Sequence, residues 1–175
     1  RHRPHPNRLH RWGRGMETYG EDPYLTGEMA VQFIQGIQGD NPDYYKAIAT
    51  AKHFAVHNGP ESSRHYFDAK VSEHDLRNTY LPAFEKAVKK ASVASVMCAY
   101  NRFEGDPCCG SSPLLQDILR DEWGFGGYVV SDCWALVDFY EKGHHEVVET
   151  AAEAAALAFK KGTDVNCGSV SRFLA

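Results

Sequence analysis

The chain has 175 residues, which is enough for one ordinary domain or for part of a larger one. Hydrophobic residues make up 43% of it and charged residues 24%, which excludes a disordered chain, a collagen-like repeat and a coiled coil. The net charge of −4 argues against a nucleic-acid-binding protein, and the sequence contains no apolar run of about 18 residues that would span a membrane.

The first eleven residues are basic and differ from the rest of the chain. They contain four arginines, three histidines and no acidic residue, and no apolar segment follows them as it would in a signal peptide. An arm for an anionic partner is one interpretation, but a cloning scar, a frameshifted gene end or a disordered terminus is favoured. We therefore predict one domain over residues 12–175 and leave residues 1–11 out of the fold.

Beyond this stretch, amphipathic segments alternate with short apolar runs. A first helix is predicted to end near Gly39, and residues 48–54 are predicted to form a buried strand. A second helix begins after Ser72, which has the position of a capping residue, and it is expected to kink at Pro82. The apolar residues 93–100 form the second predicted strand.

The second half of the chain continues the same alternation. Pro113 opens a third helix, residues 128–131 form a third strand, an alanine-rich helix covers 147–161, and residues 163–166 form a short fourth strand. This alternation predicts an α/β fold with a parallel sheet. A doubly wound sheet is the alternative to a (β/α) barrel, but no glycine-rich phosphate loop follows the first strand, which favours the barrel.

Polar residues follow each predicted strand, at the sheet edge where parallel α/β folds bind ligands. They are Lys52, His53, Tyr100, Asn101, Asp132 and Asn166. Asp132 is the strongest candidate, because a carboxylate at the end of a buried strand is costly unless it is used or paired. The alternative is that Asp132 caps the following helix.

Two further segments carry candidate residues. A strand sends neighbouring side chains to opposite faces, so Lys52 and His53 reach one site only if the backbone between them is irregular. Otherwise His53 is a hydrogen-bonded core residue and Lys52 points to solvent. Arg14 lies in residues 11–23, where charged and aromatic side chains among glycines suit a sugar site, and a solvated loop is the alternative.

Four blocks of sequence follow one another in a characteristic order. They are R-W-G-R-G-M-E-T-Y-G-E-D-P-Y-L-T-G at 11–27, A-K-H-F-A-V-H-N-G-P-E at 51–61, S-V-M-C-A-Y-N-R at 95–102 and L-R-D-E-W-G-F-G-G-Y-V-V-S-D at 119–132. Together they resemble family 3 of the glycoside hydrolases, the β-glucosidase and β-xylosidase family. A closed (β/α)8 TIM barrel needs about 250 residues, so the resemblance implies an incomplete barrel made of its later strands.

The resemblance also implies a retaining β-glycosidase in which Asp132 is the nucleophile. The residues that match the family's sugar-binding pocket are Arg14, Lys52, His53, Arg64, Met97 and Tyr100. A retaining enzyme needs a second carboxylic group about 5–5.5 Å from the nucleophile to act as acid and base. We expect Lys52 and Arg14 to lower the pKa of Asp132 and so keep it ionised. A cis-type peptide between Lys52 and His53 is implied as well.

Cysteine positions make the β-xylosidase branch the closer resemblance. Cys133 stands directly after the nucleophile, where glucosidases of the family usually have tryptophan, and C-C-G and N-C-G occur at 108–110 and 166–168. In that branch the resemblance implies a Cys133–Cys167 disulfide, which narrows the space where a hydroxymethyl group would lie. Two free thiols are the alternative. We therefore favour a β-xylosidase over a β-glucosidase.

The family's acid/base is a glutamate that lies outside these blocks, usually in a following α/β sandwich domain. The chain's candidates Glu61, Glu104, Glu122 and Glu141 do not match it. The implied substrate is an oligosaccharide or aryl β-glycoside with a terminal β-D-xylosyl or β-D-glucosyl residue, and no cofactor or nucleic-acid partner is implied. The family's habit suggests a secreted or periplasmic enzyme.

Two alternatives to this interpretation are retained. In the first, the chain is an inactive fragment or a sugar-binding remnant. In the second, it is a lyase that uses Lys52 as a Schiff-base lysine. A metal site formed by His144, His145 and Glu146 was also weighed, but a solvated loop is favoured, so no metal is predicted.

Overall fold

The computed structural model describes residues 14–41 and 43–174, and for Leu174 only the backbone. The strands are β1 Thr50–Phe54, β2 Asp68–Ala69, β3 Ser95–Cys98, β4 Arg102–Phe103, β5 Asp106–Pro107 and β6 Tyr128–Ser131. The α-helices are α1 Pro23–Gln38, α2 Glu73–Asp75, α3 Pro82–Lys89 and α4 Ala151–Lys161. Two further helices, Leu76–Tyr80 and Pro113–Glu122, have π-type hydrogen bonds. The predicted boundary between residues 11 and 12 lies outside the described residues.

The main sheet is parallel and follows chain order, β1-β3-β6. A parallel bridge between Val130 and Val165 stands where the fourth strand was predicted, so that strand is reduced to a single pairing. Neighbouring strands in chain order, joined by helical crossovers, are the arrangement of a barrel rather than of a doubly wound sheet, whose order reverses. The fold is therefore an incomplete (β/α) barrel, as predicted.

Helix α1 begins directly after its N-cap residue, Asp22. The Asp22 carboxylate accepts hydrogen bonds from the backbone N–H groups of Tyr24, at 2.7 Å, and Leu25, at 3.2 Å, while Pro23 takes the first helical position. The helix ends at Gly39, whose φ of +77° is open to glycine. The helix packs on α3, and α3 contacts β1 of the sheet.

The second predicted helix is broken into three pieces. Ser72 caps its start by accepting the backbone N–H of Asp75 at 3.1 Å. The chain then forms the π turn Leu76–Tyr80 and starts again at Pro82, the first residue of α3. Proline has no N–H to continue the helical ladder, which accounts for a break at this residue.

Helix α4 begins at Ala151, four residues later than the alanine-rich pattern suggested. Thr150 and Glu153 form a reciprocal capping box: the Thr150 side chain accepts the Glu153 N–H at 3.2 Å, and the Glu153 carboxylate accepts the Thr150 N–H at 3.0 Å. Gly162 ends the helix with a φ of +114°, as predicted.

A small second sheet, β2-β4-β5, was not predicted. Strands of two residues are too short to show the alternation on which strand prediction depends. Glu104 and Gly105, both with positive φ, form the two-residue turn between β4 and β5. This sheet anchors the segment between β1 and β3 beside the main sheet.

The core contains apolar side chains from both layers: Val96, Val129, Leu114, Leu115, Leu119, Leu136, Ala154, Ala155 and Ala158. In the part of the chain that the structure describes, no helix combines the length and the apolar character needed to cross a membrane.

Candidate active site

The candidate residues that were predicted at strand ends, among them Lys52, His53, Tyr100 and Asp132, lie at or next to the carboxyl ends of β1, β3 and β6. Asp132 follows β6 and is 8% exposed. Its Oδ1 accepts the Cys133 N–H at 2.8 Å, and its Oδ2 lies 3.3 Å from His53 Nε2. The N–H of Ala135 donates to the main-chain oxygen of Asp132 rather than to the carboxylate, so the helix-cap alternative does not account for this side chain.

Burial, not the neighbouring cations, decides the pKa of Asp132. Removal of the carboxylate from water raises its pKa above the ordinary value, and this outweighs the Cys133 N–H and the charges of Arg14 and Lys52, which lower it. Arg14 and Lys52 do lower the pKa, as expected, but burial makes the net shift upward. The sequence identifies the two cations, but the depth of burial depends on the whole fold.

This raised pKa predicts that Asp132 destabilises the folded chain at neutral pH. The folded-state pKa lies above the unfolded one, so stability falls as pH rises through the window between them and stays reduced above it. Asp132→Asn removes the charge while keeping the shape. We expect its free energy of unfolding at pH 7 to rise by about 1 kcal/mol in urea titrations.

Below the unfolded-state pKa of Asp132 the gain should vanish, because the carboxyl is then protonated in both states. The exposed Asp117→Asn is the matched control and is expected to stay within about 0.5 kcal/mol of the unchanged chain. A less stable Asp132→Asn chain at pH 7 would contradict the prediction.

His53 reaches Asp132 through irregular backbone. The Lys52–His53 peptide bond is cis, as the resemblance implies, and the register of β1 against β3 shifts between Lys52 and Phe54. Burial lowers the pKa of His53 to about 2, so the ring is neutral at neutral pH and can present an Nε2–H to the carboxylate. His53 is thus a buried residue that also contacts Asp132.

Lys52 and Arg14 meet on Glu17, which was not among the predicted residues. Arg14 Nε lies 2.7 Å from Glu17 Oε1, and Lys52 Nζ lies 3.5 Å from Glu17 Oε2. The hydrogen bond from Arg14 lowers the pKa of Glu17, so this acid is a carboxylate at neutral pH. The spacing of Arg14 and Glu17, three residues apart in a turn, is the signal that would have identified the pair.

Tyr100, Arg64 and Met97 are the remaining predicted residues of the site. The Tyr100 hydroxyl donates to the carbonyl of Cys133, next to Asp132. The Arg64 guanidinium lies 5.0 Å from the centre of the Tyr100 ring and pairs with Glu61 at 3.0 Å. Met97 is half-buried and pairs in register with Lys52 on β1 and Val130 on β6.

Two disulfides flank these residues. Cys133 is bonded to Cys167, the pair implied by the resemblance, and Cys98 is bonded to Cys109, a pair the sequence did not predict. Burial raises the pKa of the remaining thiol, Cys108, to about 12, so it is protonated and inert at neutral pH. Connectivity among five cysteines cannot be deduced from their spacing.

Two polar clusters near the site were also missed. His57 Nδ1 lies 3.0 Å from Asn101 Oδ1, and its ring lies 4.8 Å from that of His53. A second cluster joins His65 and His144 to the buried Asp138, and these are the described residues whose ligand atoms are grouped closely enough to hold a metal. Each cluster depends on a contact between distant residues, His57 with Asn101 and His65 with Asp138, so no local pattern indicates either cluster.

The site therefore has three connected parts. Asp132 contacts His53, Glu17 joins Arg14 to Lys52, and Tyr100 joins Arg64 to the backbone beside Asp132. A buried carboxylate surrounded by fixed donors and cations can hold a polyhydroxylated molecule and attack an electrophilic carbon in it.

Comparisons with known proteins identify the family of this chain. Residues 7–172 match the glycosyl hydrolase family 3 N-terminal domain. The chain is 56% identical over 160 residues to a xylan 1,4-beta-xylosidase of Xylanibacter ruminicola, covering 90% of this chain and 18% of that protein. It is 45% identical over 172 residues to a probable exo-1,4-beta-xylosidase of Aspergillus clavatus, covering 94% of this chain and 22% of that protein.

Solved structures give the same result. A GH3 exo-beta-xylosidase in complex with a xylobiose aziridine activity-based probe superposes with a TM-score of 0.86 at 38% identity, over 91% of this chain and 21% of that one. A beta-glucosidase from Listeria innocua superposes with a TM-score of 0.80 at 32% identity, over 91% of this chain and 22% of that one. The chain thus spans about a fifth of the length of the relatives it matches.

Proposed function

This chain belongs to glycosyl hydrolase family 3, whose N-terminal domain it matches, and from that premise we propose that it supplies the nucleophile half of a retaining β-glycosidase. The proposed substrate is an oligosaccharide or aryl β-glycoside, from which a terminal β-D-xylosyl residue is removed. The observation that carries the proposal is Asp132, a buried carboxylate 3.3 Å from His53 at the carboxyl end of β6.

In the proposed first step, an oxygen of Asp132 attacks the anomeric carbon while the bond from that carbon to the leaving oxygen breaks. The leaving oxygen takes a proton from a general acid. In the second step the same group, now a base, removes a proton from water, which attacks the anomeric carbon and releases Asp132 as a carboxylate. The sugar leaves with its β configuration retained.

Donors around Asp132 suit the charge changes of these steps. The Cys133 N–H at 2.8 Å fixes one oxygen of the carboxylate, and the other oxygen lies 3.3 Å from the neutral His53 ring without a hydrogen bond to it. The partial desolvation of the carboxylate makes it a more reactive nucleophile than a hydrated one. We propose that Arg14, Lys52, His53, Arg64, Met97 and Tyr100 bind the sugar. For Arg14 and Lys52 this requires sugar hydroxyls to share or replace their contacts with Glu17.

The general acid is proposed to be a glutamate outside this chain, in a following α/β sandwich domain. Within the chain, Glu17 pairs with Arg14 and Lys52, two of the proposed sugar-binding cations. Its pKa is lowered by the hydrogen bond from Arg14, so it holds no proton to give at neutral pH. Glu61, Glu104 and Glu122 are each paired with a lysine or arginine.

A xylosyl rather than a glucosyl residue is proposed for two reasons. The relatives at 45% and 56% identity are named as xylosidases. The Cys133–Cys167 disulfide adjoins the nucleophile, where the resemblance implies that it fills the space of a hydroxymethyl group. Beta-glucosidases are among the structural neighbours at lower identity, so a glucosyl residue is the second candidate.

The lyase alternative is not favoured by the site. A Schiff-base lysine is normally desolvated or placed beside another cation, so that its amine is neutral. The Lys52 side chain is instead 44% exposed, and its ammonium lies 3.5 Å from the Glu17 carboxylate.

The proposed function is tested in a chimera. The 160 matched residues of this chain replace the corresponding segment of the Xylanibacter ruminicola xylosidase. We expect the chimera to hydrolyse 4-nitrophenyl β-D-xyloside with a kcat/KM at least about tenfold higher than for the corresponding glucoside. The reason is that a filled pocket discriminates against one extra group, here the hydroxymethyl group of glucose, by about this factor. NMR of the first product should show the β anomer.

A folded chimera that hydrolyses neither glycoside would overturn the proposal of a glycosidase. A chimera that prefers the glucoside would overturn only the choice of sugar. The unmodified relative, assayed in parallel, is the control for the graft.

A further inference from the structure

Two imidazoles converge on one buried carboxylate beside the candidate site. His65 Nδ1 lies 2.9 Å from Asp138 Oδ2, and His144 Nδ1 lies 2.7 Å from Asp138 Oδ1. One ligand atom from each of the three residues lies within 4.8 Å of the others. We propose that this His65–Asp138–His144 cluster binds a divalent transition-metal ion, with Zn²⁺ as the representative.

The donor atoms are those that zinc takes in proteins. Two imidazole nitrogens and one carboxylate oxygen leave a fourth tetrahedral position for water. With metal–ligand bonds of about 2.1 Å, the ligand atoms of such a site lie about 3.4 Å apart. The Asp138 oxygens lie 2.7 and 2.9 Å from the two Nδ1 atoms, and the three ligand atoms lie within 4.8 Å of one another. Shifts of about 1 Å therefore adapt the cluster to an ion. The sequence predicted no metal because it grouped His144 with His145 and Glu146 rather than with His65 and Asp138.

The buried charge of Asp138 also supports a bound metal ion. Its side chain is 3% exposed, and a buried carboxylate is costly without a compensating positive charge. Among the residues that the structure describes, its ion-pair contacts within 4.0 Å are with His65 and His144, and none is with a lysine or arginine. A divalent ion bound by the three residues would supply a compensating positive charge.

The cluster is open enough for an ion to enter. The side chains of His65 and His144 are 39% and 31% exposed, and their rings stack with centres 5.3 Å apart. The N–H of His145 donates to the main-chain oxygen of Asp138 at 2.9 Å, which holds His144 beside the carboxylate. An ion binds both Nδ1 atoms when each ring carries its proton on Nε2.

Such an ion would join two segments of the candidate site. His65 follows Arg64 directly and contacts the Tyr100 ring edge-on, with centres 5.0 Å apart. Asp138 and His144 lie on the segment that follows Asp132. The metal would therefore fix the position of Arg64 relative to the turn after β6. The proposal does not depend on the sugar chemistry.

The test uses the 175-residue chain treated with a chelator and then titrated with ZnCl2 in a calorimeter. Because His2, His5 and His10 lie in the basic N-terminal segment, all three are replaced by glutamine in every protein used. We expect one zinc per chain. His65→Gln and His144→Gln should each weaken binding by more than about tenfold, since each removes a ligand.

His74→Gln is the matched control, since the His74 side chain is 82% exposed and lies outside the cluster; its zinc affinity should be unchanged. A second measurement needs no variant in the cluster: bound Co²⁺ should give the visible absorption of a tetrahedral nitrogen and oxygen site without a thiolate band. Absence of zinc binding, or affinity unchanged in both His65→Gln and His144→Gln, would overturn the proposal. So would a thiolate band, which would place the ion on Cys108.

Discussion

Replacement of Asp132 by alanine is expected to lower kcat of the chimera on 4-nitrophenyl β-D-xyloside by about 10⁴-fold or more. The variant lacks the group that attacks the anomeric carbon, so the covalent intermediate cannot form. Arg14, Lys52 and Tyr100 do not contact the deleted carboxylate in the structure, so substrate binding should be affected much less than kcat. Steady-state kinetics on the purified variant measure both quantities.

A chemical rescue separates loss of the nucleophile from loss of the fold. Added azide can enter the space left by the carboxylate and attack the anomeric carbon from the same side. We expect it to restore turnover and to give the α-glycosyl azide, which NMR identifies. Asp117→Ala, at an exposed acid on the helix Pro113–Glu122, should leave kcat unchanged. An Asp132→Ala chimera with near-normal kcat would contradict the assignment.

The largest expected effect on stability comes from the bridge next to the nucleophile. Cys133 and Cys167 are 34 residues apart, and a cross-link that closes a loop of this length removes conformational entropy from the unfolded chain. The double variant Cys133→Ala/Cys167→Ala is expected to lose about 3–4 kcal/mol in the free energy of unfolding. Urea unfolding without reductant measures this loss.

Thiol counting and reduction provide the controls. All five cysteines lie in the described part of the chain, and with two disulfides the denatured, unreduced chain should show one reactive thiol, from Cys108. Adding reductant should destabilise the unmodified chain more than the double variant, which has only Cys98–Cys109 left to lose. Five reactive thiols, or equal unfolding midpoints for the two proteins, would refute the predicted contribution.

Much of the fold follows from the sequence because its signals are local. The strand 128–131 was predicted with its observed bounds, since its apolar residues lie between a glycine pair and a polar end. The segments 48–54 and 93–100 were predicted too long, because the apolar pattern continues past the paired residues; Ile48, for example, is half exposed. Pairing depends on the neighbouring strand, which periodicity does not describe.

The candidate site was predicted from the sequence only in part. Asp132 and His53 were predicted and lie in contact, but Glu17, which joins Arg14 to Lys52, was not. Its three-residue spacing from Arg14 indicates only that local pair, whereas its contact with Lys52 depends on the assembled fold. The net direction of the Asp132 pKa shift could not be predicted for a related reason. Charges can be read from the sequence, whereas desolvation is a property of the assembled fold.

The edge of β1 that does not pair with β3 affects how this chain should be handled in solution. In the described ranges β1 pairs with β3 alone, so the backbone N–H and C=O groups on its other edge have no partner strand. A cavity of about 610 Å³ runs beside it, lined in part by Phe33, Thr50 and Phe84. Such an edge recruits strands from other molecules. Dilute solutions therefore suit the isolated chain.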